Sequence, residues 1–174
     1  MRSRAWTTPI VVIAAAGLTA CGGDDAPPAP PQAAASGEAE PGPFFDECGA
    51  VTDDEVARAF AVPGFTTVTR NSVGCEWEVA GTSGPSVTFS WYRGSPIGRE
   101  RAGSELIGRA ASDIEIAGQP GFVASAGNYL CELGVAFGGD FVHWSIMYGE
   151  SAPTADPCDV ARELAETSIS RAER

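Results

Sequence analysis

The sequence contains no lysine, so all 11 of its basic residues are arginines. It also contains 23 Asp and Glu residues, which give a formal net charge of −12 at pH 7. A chain of this charge is repelled by nucleic acids and by anionic lipid headgroups, because like charges repel each other. We therefore expect no nucleic-acid partner and no attachment to a membrane through surface charge.

The groups that carry out catalysis are scarce as well. His143 is the only histidine, and the sequence has no Gly-x-Ser-x-Gly, no His-Glu-x-x-His and no phosphate-binding loop with lysine. We expect His143 on a strand, opposite the face of Trp144 and partly exposed. As a general base it would need a nucleophile and an orienting partner within hydrogen-bond reach. We predict a protein that is not an enzyme and has no catalytic residue; a catalytic His143 is the open alternative.

Patterns typical of metal and cofactor sites are absent too. The sequence has no Cys-x-x-Cys pair, although that spacing is common in zinc sites. The acidic run Asp53–Glu55 is typical of a helix start. It lacks the alternating acids and the twelfth-position glutamate of a calcium-binding EF-hand loop. We therefore predict no metal and no cofactor.

The N-terminus has the pattern of a lipoprotein signal peptide. The apolar run Ile10–Leu18 is too short to span a bilayer, and it leads into Leu18-Thr19-Ala20-Cys21. Residues 1–20 would be removed, which leaves Cys21 as the first residue with a diacylglyceryl group on its sulfur. Two acyl chains on one residue give stable anchoring. We expect a protein anchored in the cell membrane through Cys21 and facing the extracytoplasmic side.

Residues 21–43 are rich in Ala and Pro and contain almost no large apolar side chain. Such a segment cannot bury enough surface to fold. A proline-rich chain extends about 3.1 Å per residue, so this segment reaches roughly 60 Å at most. We expect residues 21–43 to be a disordered tether and residues 44–174 to form a single domain behind it, a length that suffices for a core of its own.

Four cysteines besides Cys21 lie in the expected domain, namely Cys48, Cys75, Cys131 and Cys158. An even number of cysteines in an exported chain predicts two disulfides. Three pairings are possible. Cys48–Cys75 and Cys131–Cys158 would each span 27 positions and tie the start of a helix to a strand. We favour this pairing, and the sequence leaves the other two open.

Helix signals occur near both ends of the domain. Thr52 and Glu55 have the spacing of a capping box, and Pro63-Gly64 ends the helix that follows. Asp156-Pro157 places an N-cap before a proline at the first position of a C-terminal helix. A weaker helix is predicted between residues 96 and 107.

Between these helices the apolar residues alternate with polar ones, which is typical of strands with one packed face and one wet face. Trp77 and Trp91 fall on the packed face, and Gly118–Gly121 is expected to be a turn. The pattern predicts an α+β fold of two layers, with an antiparallel sheet, helices packed on one face of it and two disulfides. The alternating stretches are Cys75–Val79, Val87–Tyr92, Ile114–Ile116, Phe122–Ala124, Cys131–Phe137 and Phe141–Tyr148.

A local group of basic residues stands out in so acidic a chain. Tyr92 and Arg93 are followed closely by Arg99 and Arg101. These four residues are candidates for contact with an anionic or glycan ligand. Paired charges on a solvated loop are the alternative explanation.

Several short markers together resemble a family of actinobacterial secreted lipoproteins built on a domain of unknown function. The resemblance would cover about residues 44 to 171. It implies an envelope location and a disulfide-linked α+β fold, and it implies no activity. The markers are Phe45-Asp46-Glu47-Cys48, Thr52-Asp53-Asp54-Glu55-Val56, Gly74-Cys75-Glu76-Trp77, Gly118-Gln119-Pro120-Gly121, Cys131 and Asp156-Pro157-Cys158.

The leading functional hypothesis is a non-enzymatic envelope lipoprotein that presents one face of its domain to another, unidentified envelope protein. The alternative is a carrier or sensor that holds a lipid or another small apolar ligand between helices and sheet. A large apolar cavity would favour the carrier, whereas a filled core would favour the interaction module.

Overall fold

In the computed structural model, which describes residues 40–80, 84–149, 151 and 153–172, the chain forms an antiparallel sheet in the order β1-β2-β3-β7-β6-β5-β4. The strands are β1 Thr67–Asn71, β2 Gly74–Glu78, β3 Ser86–Tyr92, β4 Ala111–Ile116, β5 Gln119–Ala126, β6 Leu130–Phe137 and β7 Asp140–Met147. The helices are α1 Asp53–Ala59, α2 Ile97–Leu106 and α3 Pro157–Arg171, and a 3-10 turn spans Glu47–Ala50. The predictions for residues 1–39, which include the signal peptide, Cys21 and most of the tether, lie outside the described residues.

One face of the sheet carries the core. The register places Phe89, Trp144 and Leu133 side by side on β3, β7 and β6, and all three are buried. Trp77 stacks against Trp144 with 6.0 Å between ring centroids. Helix α3 closes this layer with an apolar stripe of buried residues, so large side chains fill the space between α3 and the sheet. The stripe consists of Val160, Ala161, Leu164 and Ala165.

The predicted helix starts are confirmed. The Thr52 hydroxyl accepts a hydrogen bond from the Glu55 backbone N–H, and the Glu55 carboxylate accepts one from the Thr52 N–H. At the start of α3 the Asp156 carboxylate accepts hydrogen bonds from the backbone N–H groups of Cys158 and Asp159. Glu55 also binds Arg171 at the far end of α3, at 2.6 Å. The Arg171 guanidinium and the Thr52 backbone N–H together lower the pKa of the Glu55 carboxyl to about 2, so this carboxylate stays charged and links α1 to α3.

The disulfides join the pairs that the sequence analysis favours. Cys48 is bonded to Cys75 and Cys131 to Cys158, and the Cα atoms of each pair lie 5.2 Å apart, a usual separation for a disulfide. The first bond fastens the 3-10 turn to β2, and the second fastens the first turn of α3 to β6. Both therefore tie the helical layer to the core face of the sheet.

Helix α2 lies on the opposite face of the sheet from α3. Cys131 and Glu132 are neighbours on β6 and point to opposite faces. Cys131 is bonded to α3, whereas Glu132 accepts a hydrogen bond from Ser104 of α2. The α+β class is thus confirmed, but α2 covers part of the face that the alternation predicts to be wet.

This placement of α2 corrects the expectation for His143. The side chain is only 6% exposed, because Phe122 and the start of α2 cover this part of the sheet. The residue opposite His143 on β6 is Gly134. A side chain there would collide with Phe122 and Ile97, so the glycine allows α2 to lie close to the strand.

Two local features differ from the prediction. Strand β1 is not expected from the sequence, because its residues are mostly polar and exposed. The expected turn at Gly118–Gly121 is shorter than predicted. Only Ala117 and Gly118 form it, both with positive φ (50° and 78°), and β5 already begins at Gln119.

Residues 40–43, which the sequence analysis assigns to the tether, contact the turn between β6 and β7. The Glu40 carbonyl accepts a hydrogen bond from the Gly139 N–H at 2.9 Å, and the Gly42 N–H donates to Asp140 at 3.0 Å. The chain therefore joins the domain at the end of the sheet where this hairpin turns.

Candidate functional site

A small polar cluster lies under α2 on the sheet. Glu132 accepts hydrogen bonds from the Ser104 hydroxyl at 2.8 Å and from Arg109 at 2.5 Å. His143 is its neighbour on the same face, and its Nε2 atom is buried without a hydrogen-bond partner among the described residues. Burial lowers the pKa of His143, and the carboxylates of Glu100 and Glu132 offset part of this effect. The histidine is therefore neutral at pH 7.

The cluster lacks the geometry of a catalytic site. Ser90 is the residue opposite His143 on β3, yet no hydrogen bond joins their side chains in the part of the chain that is described. Glu132 is engaged by Ser104 and Arg109, so it is not positioned to orient the imidazole. The described residues also contain no group of three or more His, Cys, Asp and Glu side chains able to hold a metal ion. What the arrangement does is fasten α2 to β6.

We expect the variant His143→Leu to lose less stability in mild acid than the wild type. Since the folded state lowers the pKa of His143, the unfolded chain takes up the proton first as the pH falls below about 6.5. The wild type should therefore lose about 1 kcal/mol more than the variant between pH 7.5 and 5.5. Urea unfolding at both pH values measures this difference.

The matched control is Ser145→Ala, on the same strand and the same face as His143. This residue does not titrate, so the variant should follow the wild type. An equal loss in wild type and His143→Leu would contradict a histidine that is buried in its neutral form.

The four residues of the predicted basic group have different surroundings. Tyr92 stacks on Phe141 with 4.4 Å between ring centroids. The Arg93 guanidinium lies 4.8 Å from the centre of the Trp91 ring. Arg101 is ion-paired with Glu105 and Asp113, as the alternative of paired surface charges expects for this residue.

Of this group, Arg99 is exposed on α2 and belongs to none of the ion pairs formed by the described residues. Contact of the group with an anionic ligand therefore stays a prediction that depends mainly on Arg93 and Arg99.

Clefts of different size open at the surface that the described residues form. One of about 480 Å³ lies beside the Cys48–Cys75 disulfide and is lined by Phe44, Val73 and Trp91 among others. A second, of about 800 Å³, lies between residues 41–44 and the end of α3. The third, under the start of α2, is mainly apolar but measures only about 200 Å³. Ligand pockets usually measure about 300–1,000 Å³, so the apolar cleft is small for a lipid.

Large apolar side chains are exposed at both ends of the sheet. Phe44 and Val73, each about half exposed, lie at the end where the chain joins the domain. At the other end Leu106 is 87% exposed, Ile107 63% and Tyr129 44%. None of these residues is among the ligand contacts predicted from the sequence. Two consecutive aliphatic residues at the end of a helix rich in Arg and Glu are the signal that could have indicated them.

The protein-family profile described as "Protein of unknown function (DUF3558)" matches residues 16–171. Relatives named "Putative lipoprotein LprB" occur in mycobacteria. The protein from Mycobacterium tuberculosis H37Rv is 45% identical over 141 residues, which cover 78% of this chain and 76% of the relative. The Mycobacterium leprae protein is 44% identical over 138 residues, which cover 76% and 73%. No solved structure shows significant similarity to the chain.

None of the helices in the described part of the chain is both long and apolar enough to cross a membrane.

Proposed function

This chain belongs to the DUF3558 family of proteins of unknown function, and we propose that it is a lipid-anchored, non-enzymatic interaction module of the cell envelope. The observation that carries the proposal is the exposure of Leu106 and Ile107, two adjacent aliphatic residues on the surface of a folded domain. Isolated apolar side chains on a surface need no explanation, but two adjacent ones that are mostly exposed are typical of a contact surface.

The anchor is supported by the sequence and by the names of the relatives. Leu18-Thr19-Ala20-Cys21 has the form of a lipoprotein processing site, and the mycobacterial relatives bear the name lipoprotein. The anchor would act on the extracytoplasmic side of the cell membrane. There the tether holds the domain by the end of the sheet that carries residues 40–43.

A carrier function is less well supported than an interaction. A carrier needs an apolar chamber, and large side chains such as Trp144, Phe89 and Leu164 occupy the space between the sheet and α3. The small cleft under α2 has room for a short apolar group rather than for a lipid. The clefts of about 480 and 800 Å³ are large enough for a ligand, but polar atoms contribute to the lining of both.

An enzymatic function has less support still. The family and the named relatives carry no activity in their descriptions. The only histidine is buried without a partner for Nε2 among the described residues. A general base needs a hydrogen-bonded path to the proton that it removes.

The anchor is tested by replacing the predicted acylated residue. In cells fed a clickable palmitate analogue, the wild type should be labelled and should sediment with membranes. Cys21→Ala should lose the label completely and either appear as a folded, soluble domain or accumulate unprocessed. The matched control Thr19→Ser keeps a small residue in the processing site and should behave like the wild type. Labelled, membrane-bound Cys21→Ala would rule out the anchor.

The interaction is tested by crosslinking in intact cells. A reproducible protein adduct of the wild-type chain would support the proposal, whereas lipid that copurifies with the mature domain would support a carrier. Recovery of neither would contradict both.

A further inference from the structure

The exposed residues Leu106, Ile107 and Tyr129 lie at the same end of the sheet. Strand β5 ends at Ala126 and is paired there with Leu130, the first residue of β6, and Tyr129 belongs to the turn between them. Both Ser104 and Arg109 bind Glu132, two residues further along β6. These hydrogen bonds attach the segment that carries Leu106 and Ile107 to Glu132, which lies three residues after Tyr129 in the sequence. We call Leu106, Ile107 and Tyr129 the distal patch.

The distal patch is far from the point where the tether joins the domain. Residues 40–43 contact the β6–β7 turn, at the opposite end of β6. Strand β6 has eight residues, each of which advances about 3.3 Å, so roughly 25 Å separate the two ends. The patch is therefore separate from the residues that contact the β6–β7 turn.

The exposed pair is held in a fixed conformation. Beyond the last turn of α2, the Ile107 N–H donates to the Gly103 carbonyl, the Gly108 N–H to Glu105 and the Arg109 N–H to Ser104. The side chains of Ser104 and Arg109 add the two hydrogen bonds to Glu132. Because the segment is ordered before binding, little conformational entropy is left to lose when Leu106 and Ile107 are buried.

The two connections that carry Ile107 and Tyr129 contain little charge. The connections 107–110 and 127–129 contain one charged residue, Arg109, and it is already paired with Glu132. The centre of a protein interface is depleted of charge, because removing unpaired charges from water is costly. The patch has this property within a chain of net charge −12.

The surroundings of the patch are acidic. Asp113 is 85% exposed on β4, Glu105 is 49% exposed on α2, and both are paired with the single cation Arg101. A surface of the opposite sign would be attracted to this rim.

From these observations we propose that the distal patch inserts Leu106 and Ile107 into an apolar groove of a protein partner, and that Lys or Arg residues flank this groove. The inference rests on the proposed interaction function and names the surface and the chemistry of the partner.

Protein is favoured over the other possible occupants. A second copy of the chain would bring two acidic molecules together, and their like charges would repel each other. An anionic bilayer would repel the acidic rim that surrounds the patch. An apolar groove of a protein needs only an exposed apolar pair such as Leu106 and Ile107 to bury.

The test places a photo-crosslinking residue at two sites of the full-length chain in intact cells. One variant carries Tyr129→p-benzoylphenylalanine, within the patch. The other carries Val73→p-benzoylphenylalanine, which is similarly exposed at the tethered end. We expect a protein adduct from position 129 and none from position 73. Adding Leu106→Glu and Ile107→Glu should reduce the adduct about tenfold or more, because both anchors of the contact are lost.

Stability measurements keep this result interpretable. Both glutamates would replace exposed residues, so the melting temperature of the purified double variant should remain within a few degrees of the wild type. A matched double variant with Leu106→Met and Ile107→Val keeps the apolar surface and should retain the adduct.

Each other outcome overturns the inference in a recognisable way. An adduct with a second copy of the chain, or with lipid, would assign the patch to a different occupant. An adduct from position 73 alone would leave the interaction function standing and refute the distal patch. No protein adduct from either position would contradict the interaction function as well.

Discussion

Replacement of Cys131 and Cys158 together by alanine is expected to lower the free energy of unfolding by about 3.5 kcal/mol. The bond closes a loop across 27 positions, and the chain-entropy relation gives this value for a loop of that size. It also fastens the first turn of α3 to β6, so its loss weakens the contact between the two layers of the core. Domains of this size are usually stable by only about 5–15 kcal/mol.

The measurement is urea unfolding of the mature chain with Cys21→Ala, with and without the two further substitutions. The matched comparison is Cys48→Ala with Cys75→Ala, which opens a loop of the same length and should cost a similar amount in chain entropy. Removal of all four cysteines should leave little folded protein. A loss below about 1 kcal/mol for either pair would show that the disulfides contribute little to folding.

The second large effect is expected at the centre of the sheet. Trp144 is completely buried, and its ring lies 4.9 Å from that of Phe89 and 6.0 Å from that of Trp77. Trp144→Ala should cost about 3–5 kcal/mol, because it leaves a large cavity in a rigid part of the core. Trp144→Phe should cost much less, since the indole N–H of Trp144 has no partner among the described residues and no hydrogen bond is lost.

Trp77 provides the control for this argument. Its indole N–H donates a hydrogen bond to Asp53 at 2.7 Å, and this bond is the main cause that lowers the pKa of the Asp53 carboxyl. Trp77→Phe should therefore cost about 1 kcal/mol more than Trp144→Phe. Urea unfolding of the three single variants at pH 7 gives the order. If Trp144→Phe proved more destabilising than Trp77→Phe, the hydrogen bond would not be the deciding difference.

The features that the sequence predicted correctly depend on signals a few residues apart. The capping box at Thr52, the proline start of α3 and the alternation along β6 and β7 each lie within a single element. The favoured pairing of the cysteines rested on the positions of these elements, since each bond was expected to join the start of a helix to a strand, and the sequence left the other two pairings open.

The features that the sequence missed depend on contacts between distant segments. Helix α2 has no apolar stripe, and among its residues only Ser104 is buried, so nothing in its own sequence indicates which face of the sheet it covers. The position of α2 on the sheet depends in part on Gly134, because a side chain there would collide with Phe122 and press against Ile97 at the start of α2. The burial of His143 follows from the same contact and was for this reason predicted incorrectly.

The surroundings of the candidate functional residues also depend on contacts between distant segments. Arg101 was identified as a possible ligand contact from its position near other arginines, but its acidic partner Asp113 comes from a separate strand. The distal patch could not be recognised from the sequence, because only the register of β5 and β6 and the two hydrogen bonds to Glu132 place Leu106 and Tyr129 at the same end of the sheet.

The protein is proposed to act by contact with a partner and not by catalysis. Complementation of the phenotype caused by loss of the gene distinguishes the two, with His143→Leu compared against the double variant Leu106→Glu, Ile107→Glu at equal protein levels. We predict that His143→Leu restores the wild-type phenotype and that the double variant does not. Restoration by the double variant together with failure of His143→Leu would contradict the account.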